Sequence, residues 1–340
     1  MLSWLLASVG LVVGMALLTK SADWFIEGAV GLARQLKLPP LIIGFIIVGF
    51  GTSAPEMLVS ALAAAQGLPV LSLGNAYGSN ITNILLILGV SMLIAPIRLH
   101  RVALRRDIPF LLCVIGLTLG AAMGGWLSRG DGLLLRGCFA GFLAWQLWSD
   151  CRQGQCACEE EPSQPQMSLG RAIFWTLLGL GMLLASSQLL VFSAKWVATR
   201  VAELAGLAPE ATQLIVGLTV VAVGTSLPEL MASVVAMRKG QHDIALGNVV
   251  GSNCFNICVV AGLALVIHPV ATEAMPAALR YRDVYVMLGT TLLLWVPGMV
   301  VWFRKRRERA PEICLGRPMG VLYLTLWTAY TLWVLFGTRH

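Results

Sequence analysis

Residues 44–96 and 217–269 are versions of one another, aligned without a gap at a constant offset of 173. The first copy reads GFIIVGFGTSAPEMLVSALAAAQGLPVLSLGNAYGSNITNILLILGVSMLIAP. The second reads GLTVVAVGTSLPELMASVVAMRKGQHDIALGNVVGSNCFNICVVAGLALVIHP. Glu56 falls on Glu229, Asn83 on Asn256, and Gly-Ser-Asn on Gly-Ser-Asn. Each copy sets a lone glutamate into an otherwise apolar helix. An ionisable side chain in lipid is costly unless it faces a polar cavity or a partner, so each glutamate marks a candidate functional site. Its duplication predicts two half-sites facing each other across a pseudo-symmetric repeat.

The environment follows from composition. The chain of 340 residues is 57% apolar and 12% charged, against about 25% charged for a soluble domain. Apolar runs long enough to cross a bilayer recur along its whole length. The first starts at Leu2 with no basic residue before it and no small-residue cleavage site, so it is expected to remain as a transmembrane helix. Ten spans are expected, near 2–33, 40–65, 70–95, 105–125, 131–150, 170–203, 211–238, 243–267, 282–303 and 316–336. The one long polar connection, 151–168, divides them five and five. Five is odd, so the halves must enter the membrane in opposite senses. The expected fold is therefore an all-α integral membrane protein of ten transmembrane helices, built as two inverted five-helix repeats. Residues 1–150 form the first, 151–168 a linker and 169–340 the second. The repeat reaches beyond its core: Lys20-Ser-Ala-Asp-Trp24 resembles Phe192-Ser-Ala-Lys-Trp196, Arg106-Asp107 matches Arg282-Asp283, and Leu127–Gly132 weakly matches Leu315–Gly320.

Basic residues set the expected orientation. With the N-terminus outside, the inner loops hold sixteen of the 24 Lys and Arg, among them Arg98, Arg101, Arg105, Arg106 and the run from Arg304 to Arg309. Both termini are then expected to be external and the linker cytoplasmic. The net charge of +7 reads as topology, and nucleic acid is not an expected partner; the lipid bilayer is. Of eight cysteines, Cys113, Cys138, Cys254 and Cys258 fall in apolar segments and read as small hydrophobes. Cys151, Cys156 and Cys158 share the linker with Glu159, Glu160 and Glu161, a spacing that is not a zinc pattern by itself.

Within each copy, Gly49-Phe-Gly-Thr-Ser-Ala-Pro-Glu56 and Ala222-Val-Gly-Thr-Ser-Leu-Pro-Glu229 lie in mid-span. Proline lacks an N–H and clashes with the carbonyl four residues back, here that of Gly51 or Gly224, so both helices are expected to kink or unwind. Non-helical backbone at membrane depth needs protein or a cavity to solvate it. In a helix, Thr52 and Ser53 share the face of Glu56, as Thr225 and Ser226 share that of Glu229. In the following spans Ser79 and Asn83 share a face, as do Ser252 and Asn256. Carboxylate, hydroxyl, amide carbonyl and backbone carbonyl form a hard-oxygen set suited to Na⁺, Ca²⁺ or Mg²⁺. Thiolate and imidazole, which softer metals prefer, are absent from the motif. The bland alternatives are packing for the hydroxyls and a buried Glu–Lys pair for the glutamates, with Lys20 or Lys195 as donor. Asp23 and Glu27 in the first span are ambiguous, with Lys20 near them in sequence.

GTSAPE with GSNITN, and GTSLPE with GSNCFN, resemble the α-repeats of the sodium/calcium exchanger family, within the calcium/cation antiporters. The resemblance covers nearly the whole chain, down to the five-plus-five layout, and without a large loop it is similar to the short prokaryotic members. It implies ion sites among helices two, three, seven and eight, with long oblique helices one and six sliding to alternate access. It also implies a ligand set: Gly49, Thr52, Ser53, Glu56, Ser79 and Asn83 from the first half, with Ala222, Thr225, Ser226, Glu229, Ser252 and Asn256 from the second. Gly49 and Ala222 would act through their carbonyls. Family members often carry Asp at the position of Asn256, and sometimes at that of Asn83, so this chain has only two motif carboxylates. The function implied is secondary antiport of Ca²⁺ against Na⁺, with H⁺ coupling as the alternative, by a monomer without cofactor or enzymatic activity. An ion channel is disfavoured by the asymmetric inverted repeat. An intramembrane serine hydrolase at Ser53 or Ser226 lacks an adjacent base.

Overall fold

The computed structural model describes residues 2–152, 167–204, 222–304 and 313–336. The linker residues 153–166, the expected first limb of the seventh span over 211–221, and His340 lie outside the described residues.

Among the described residues the helices fall into ten spans. They are α1 (Leu2–Leu36), α2 (Pro40–Thr52 and Ala54–Ala65), α3 (Pro69–Ile94), α4 (Ala103–Met123) and α5 (Arg129–Arg152), then α6 (Leu169–Leu204), α7 (Ala222–Thr225 and Leu227–Arg238), α8 (His242–Ile267), α9 (Leu279–Asp283 and Val284–Arg304) and α10 (Arg317–Phe336). By length and apolarity six of the described helices can each cross a membrane, and a seventh crossing is formed by the two limbs of α2, bent by 47°.

The local signals recur at the repeat offset. Both α2 and α7 break one residue before the Ala-Pro or Leu-Pro pair: Ser53 has φ −83° and ψ 4°, Ser226 φ −88° and ψ 5°. The ends of α2 and α7 close alike. Gly67 and Gly240 take φ of 77° and 72°, a left-handed conformation open to glycine. The next N–H then reaches back five residues, Leu68 to the carbonyl of Ala63 and Gln241 to that of Ala236. This is the Schellman closure, and it reverses the chain into the next span.

Sequence reading anticipated neither the widened turns nor the strands. Single π-helical stretches open at equivalent positions, Asn83–Leu88 in α3 and Asn256–Ala261 in α8, and again at the starts of α4 (Ala103–Asp107) and α9 (Leu279–Asp283). The recurring Arg-Asp pairs lie in the last two. Arg106 and Arg282 each hold the neighbouring Asp107 or Asp283 at 2.7 Å. Two small antiparallel sheets join the halves. Strand β1 (Ile97–Leu99) pairs with β4 (Ile313–Leu315), Ile97 opposite Leu315, and β2 (Trp126–Leu127) pairs with β3 (Val270–Ala271), Leu127 opposite Val270. Each sheet thus takes one strand from each repeat. The weak match of Leu127 with Leu315 gains a reason: both end a strand that enters the last helix of a half.

The halves interleave. Helix α5 packs on the second limb of α8, α10 on the second limb of α3, and α1 lies along α6. The centre belongs to α3 and α8, whose apolar windows are 67% and 78% buried, against 33–39% for α1, α4, α6 and α9. The outer helices leave large apolar side chains such as Phe174, Leu177, Phe192 and Phe303 exposed, the pattern of a lipid-facing surface. Of the cysteines read as small hydrophobes, Cys254 and Cys258 are buried, Cys138 is half-buried and Cys113 faces outward.

Candidate cation-binding site

The two breaks and the two central helices bring the duplicated motifs together. Helix α2 approaches α8 so closely that a Cβ at Gly44 would lie 2.5 Å from the carbonyl oxygen of Ile244. That approach sets the Gly49 carbonyl beside α8, where the Ser252 hydroxyl lies 3.3 Å from it. Thr52, Ser53, Glu56, Ser79, Asn83, Ser226, Glu229, Ser252 and Asn256 are all buried. Thr225 is half-buried, and Ala222 opens the short first limb described for α7.

The halves meet through specific bonds. Ser53 donates to Oε1 of Glu229 at 3.2 Å. The helical face that Ser53 shares with Glu56 leaves open which carboxylate its hydroxyl meets. At the break Ser53 leaves helical dihedrals, and its hydroxyl bonds the carboxylate of the other half. The Thr52 hydroxyl lies 3.0 Å from the Val48 carbonyl and 3.2 Å from Oδ1 of Asn248. Asn248 in turn donates to the Glu229 carbonyl and, at 2.8 Å, to Ser233. Its first-half counterpart Asn75 donates to Ser60 at 3.0 Å, and Ser60 is the repeat equivalent of Ser233. The carbonyl of Gly224, freed by Pro228, accepts from Ser187 of α6 at 3.2 Å.

Four asparagines close a ring where α3 and α8 cross. Asn83 donates to Oδ1 of Asn253 at 3.0 Å, and Asn256 donates to Oδ1 of Asn80 at 3.1 Å. Asn80 and Asn253 donate to one another's backbone carbonyls, at 3.2 and 3.4 Å. Asn80, Asn253 and Asn248 are buried polar residues that the motif reading passed over. The signal was present, since Asn80 with Asn253 and Asn75 with Asn248 recur at the offset of 173.

Electrostatically the site is one-sided. Both carboxylate oxygens of Glu56, Oε2 of Glu229, and Oδ1 of Asn83 and of Asn256 are buried with no hydrogen-bond partner among the described residues. All five are acceptors. A buried carboxylate with no donor, proton or counter-charge is strongly unfavourable. Neither glutamate has an ion pair among the described residues, so the Glu–Lys alternative is not realised there. Lys20 instead lies over the Trp24 ring, 5.9 Å from its centroid. Asp23 and Glu27 face Lys239 at the end of α7, with Nζ 3.5 Å from Oδ1 of Asp23 and 2.7 Å from Oε1 of Glu27. Lys20 was only their neighbour in sequence.

Comparison with known proteins agrees with this architecture. Residues 6–148 and 172–336 match the family described as Sodium/calcium exchanger protein. A protein of Alkalimonas amylolytica named as an antiporter, CaxA, is 41% identical over 329 residues, covering 94% of this chain and 98% of that protein. The inner membrane protein YrbG of Escherichia coli strain K12 is 36% identical, covering 97% of this chain and 98% of its own. Among solved structures, the sodium-calcium exchanger NCX_Mj soaked with 100 mM Na⁺ and 10 mM Sr²⁺ matches with a TM-score of 0.76 at 29% identity, over 96% of this chain and 97% of that one. The fold is thus the ten-helix inverted repeat, and the chain is an integral membrane transporter, not an enzyme. This chain belongs to the sodium/calcium exchanger family of cation antiporters.

Proposed function

We propose that this antiporter exchanges Ca²⁺ for Na⁺ by alternating access through one shared site. The observation that carries this reading is the cluster of partnerless buried oxygens on Glu56, Glu229, Asn83 and Asn256. Two carboxylates balance one divalent ion or two monovalent ones. Either Ca²⁺ or the monovalent ions occupy the pair, and that competition couples their fluxes. The hydroxyls of Thr52, Ser53, Ser79, Thr225, Ser226 and Ser252, with the carbonyls of Gly49 and Ala222, complete a hard-oxygen shell of the kind Ca²⁺ and Na⁺ take. That NCX_Mj is a sodium-calcium exchanger supports Na⁺ as the driving ion. All ligands come from one chain, so a monomer suffices, with residues 1–150 and 169–340 contributing a half-site each.

The test is Ca²⁺ uptake into proteoliposomes loaded with Na⁺. Uptake is expected to follow the outward Na⁺ gradient and to stop when it is collapsed. Uptake that follows only an imposed pH gradient would replace Na⁺ by H⁺ as the coupling ion, and uptake without trans-stimulation would mean a channel. We place both termini outside and the 151–168 linker in the cytoplasm of a bacterial inner membrane. Labelling of Cys156 or Cys158 by an impermeant thiol reagent from outside intact cells would overturn that orientation.

A further inference from the structure

We propose that Asn80 and Asn253 are positioning residues: they fix which atom of Asn83 and of Asn256 faces the transported cation. The inference rests on the site reading above and adds a determinant outside its ligand set. An asparagine side chain offers an oxygen on one side and an NH₂ on the other, similar in shape and opposite in polarity. Turned one way, Asn256 presents a ligand to a cation. Turned the other way, it presents two N–H dipoles that repel it.

The ring decides the matter from backbone outwards. The Asn253 carbonyl can only accept, so the Asn80 atom that faces it at 3.2 Å is Nδ2. That leaves Oδ1 of Asn80 toward Asn256, where only the Asn256 NH₂ satisfies it, at 3.1 Å. The Asn256 oxygen is then turned away and is one of the buried oxygens with no partner. The same chain of choices runs in the other direction. Nδ2 of Asn253 faces the Asn80 carbonyl, Oδ1 of Asn253 takes the Asn83 NH₂, and Oδ1 of Asn83 is left without a partner. Each half therefore orients the amide of the other half, through a residue that itself gives no atom to the ion. Both Asn80 and Asn253 are fully buried, so water does not compete for these bonds. The site is thus oriented by neutral groups. The pair occupies the pseudo-twofold position with four amides and no charge, and the ion-facing charge stays with Glu56 and Glu229.

A carboxylate tests this, because both of its atoms are oxygens and it has no wrong way round. Asn80→Ala is expected to raise the KM for Ca²⁺ by about tenfold, since the Asn256 amide is no longer held with its oxygen toward the ion and its NH₂ is left without a partner. Asn256→Asp in the Asn80→Ala background is expected to recover most of that loss. The same Asn256→Asp change in the wild-type background is the reference for its own effect. The mirror set is Asn253→Ala with Asn83→Asp. Each variant is measured in proteoliposomes for KM and maximal rate, with thermal unfolding in detergent to confirm a folded protein. Recovery in the double variants, beyond what the aspartate does alone, is the expected result. Purely additive effects in both sets would overturn the inference, because a role in packing alone is not repaired by adding a buried charge. Loss of the folded protein in both alanine variants and both double variants would also overturn it, assigning the ring to the fold. Glu56→Gln, run alongside, separates the two readings. Normal flux in it would refute the ion site, whereas a dead Glu56→Gln with additive asparagine effects would refute only the orientation.

Discussion

The two halves share a backbone and differ in what their side chains touch. Ser53 and Ser226 break their helices with dihedrals that agree within a few degrees. Yet Glu229 receives the Ser53 hydroxyl, while neither oxygen of Glu56 has a partner among the described residues. The outer pair α1 and α6 sits unequally against the two breaks as well. Gly224 faces Val191 of α6, whose equivalent in α1 is Thr19. Gly51 instead faces Leu180 of α6 and Phe25 of α1. Phe25 lies six residues beyond the symmetric position, about 9 Å along a helix at 1.5 Å per residue. Under the alternating access proposed above, exchanging the roles of the two halves would give the second arrangement. Alternating access needs such a pair of states.

The largest expected effect tests whether the halves are equal partners in chemistry. Glu56→Gln and Glu229→Gln should each abolish Ca²⁺ transport while leaving membrane insertion intact, because either change leaves a divalent ion undercompensated in a water-poor site. Flux measured in proteoliposomes decides it. Near-normal flux in either variant would show that only one half binds the ion.

Next in size is the contrast between Asn248 and Asn75. Asn248 is buried between Thr52, Ser252, Ser233 and the Glu229 carbonyl, so it joins α2, α7 and α8. Truncating it orphans several buried groups, and Asn248→Ala should destabilise the protein by about 2–4 kcal/mol. Asn75 is half-buried and donates to Ser60; Asn75→Ala should cost about 1 kcal/mol. Thermal unfolding in detergent ranks them, and an equal shift for both would deny the asymmetry.

What the sequence made legible follows the same division. The ten spans, the breaks before Pro55 and Pro228, and the pairing of Glu56 with Glu229 depend on local composition and on the repeat, and each could be read residue by residue. The bond from Ser53 to Glu229, the partner of Asp23 and Glu27, and the strand pairs between the halves join residues far apart in the chain. They depend on how elements meet, and no local pattern carries that. Asn80 and Asn253 stand between these cases. Their recurrence was visible, but their role appears only once α3 and α8 cross.

A smaller effect sharpens the comparison at the asparagines. In the proposed site Asn83 and Asn256 would supply amide oxygens that do not titrate, leaving Glu56 and Glu229 as the groups through which protons would act. Asn256→Asp adds a third carboxylate for which protons compete with the cations. Ca²⁺ transport should then fall more steeply as pH is lowered, and Na⁺ coupling should change more than Ca²⁺ selectivity. A pH profile and Na⁺ dependence that both match the wild type would remove Asn256 from the ion-facing set.

The smallest effect belongs to an ion pair that one half has and its repeat equivalent lacks in sequence. Lys239 at the end of α7 holds Glu27 of α1 at 2.7 Å and Asp23 at 3.5 Å. The repeat places Gln66 at the Lys239 position, with Lys195 and Thr199 at those of Asp23 and Glu27. Sliding α1 and α6 to the second arrangement would break the pair without forming an equivalent one, so the pair favours the arrangement seen here. Its members are partly exposed, and such a pair contributes at most about 1 kcal/mol. Lys239→Gln should therefore leave maximal Ca²⁺ flux nearly intact and shift the ratio of the two access states by no more than about fivefold. The ratio is read as the difference in Ca²⁺ KM between right-side-out and inside-out vesicles. The shift should shrink at high ionic strength, where exposed charges are screened. Glu27→Gln should reproduce most of it, and Asp23→Asn less, in keeping with the two distances. A Lys239→Gln protein with unchanged KM on both sides at low salt would show that the clip does not bias the exchange between states.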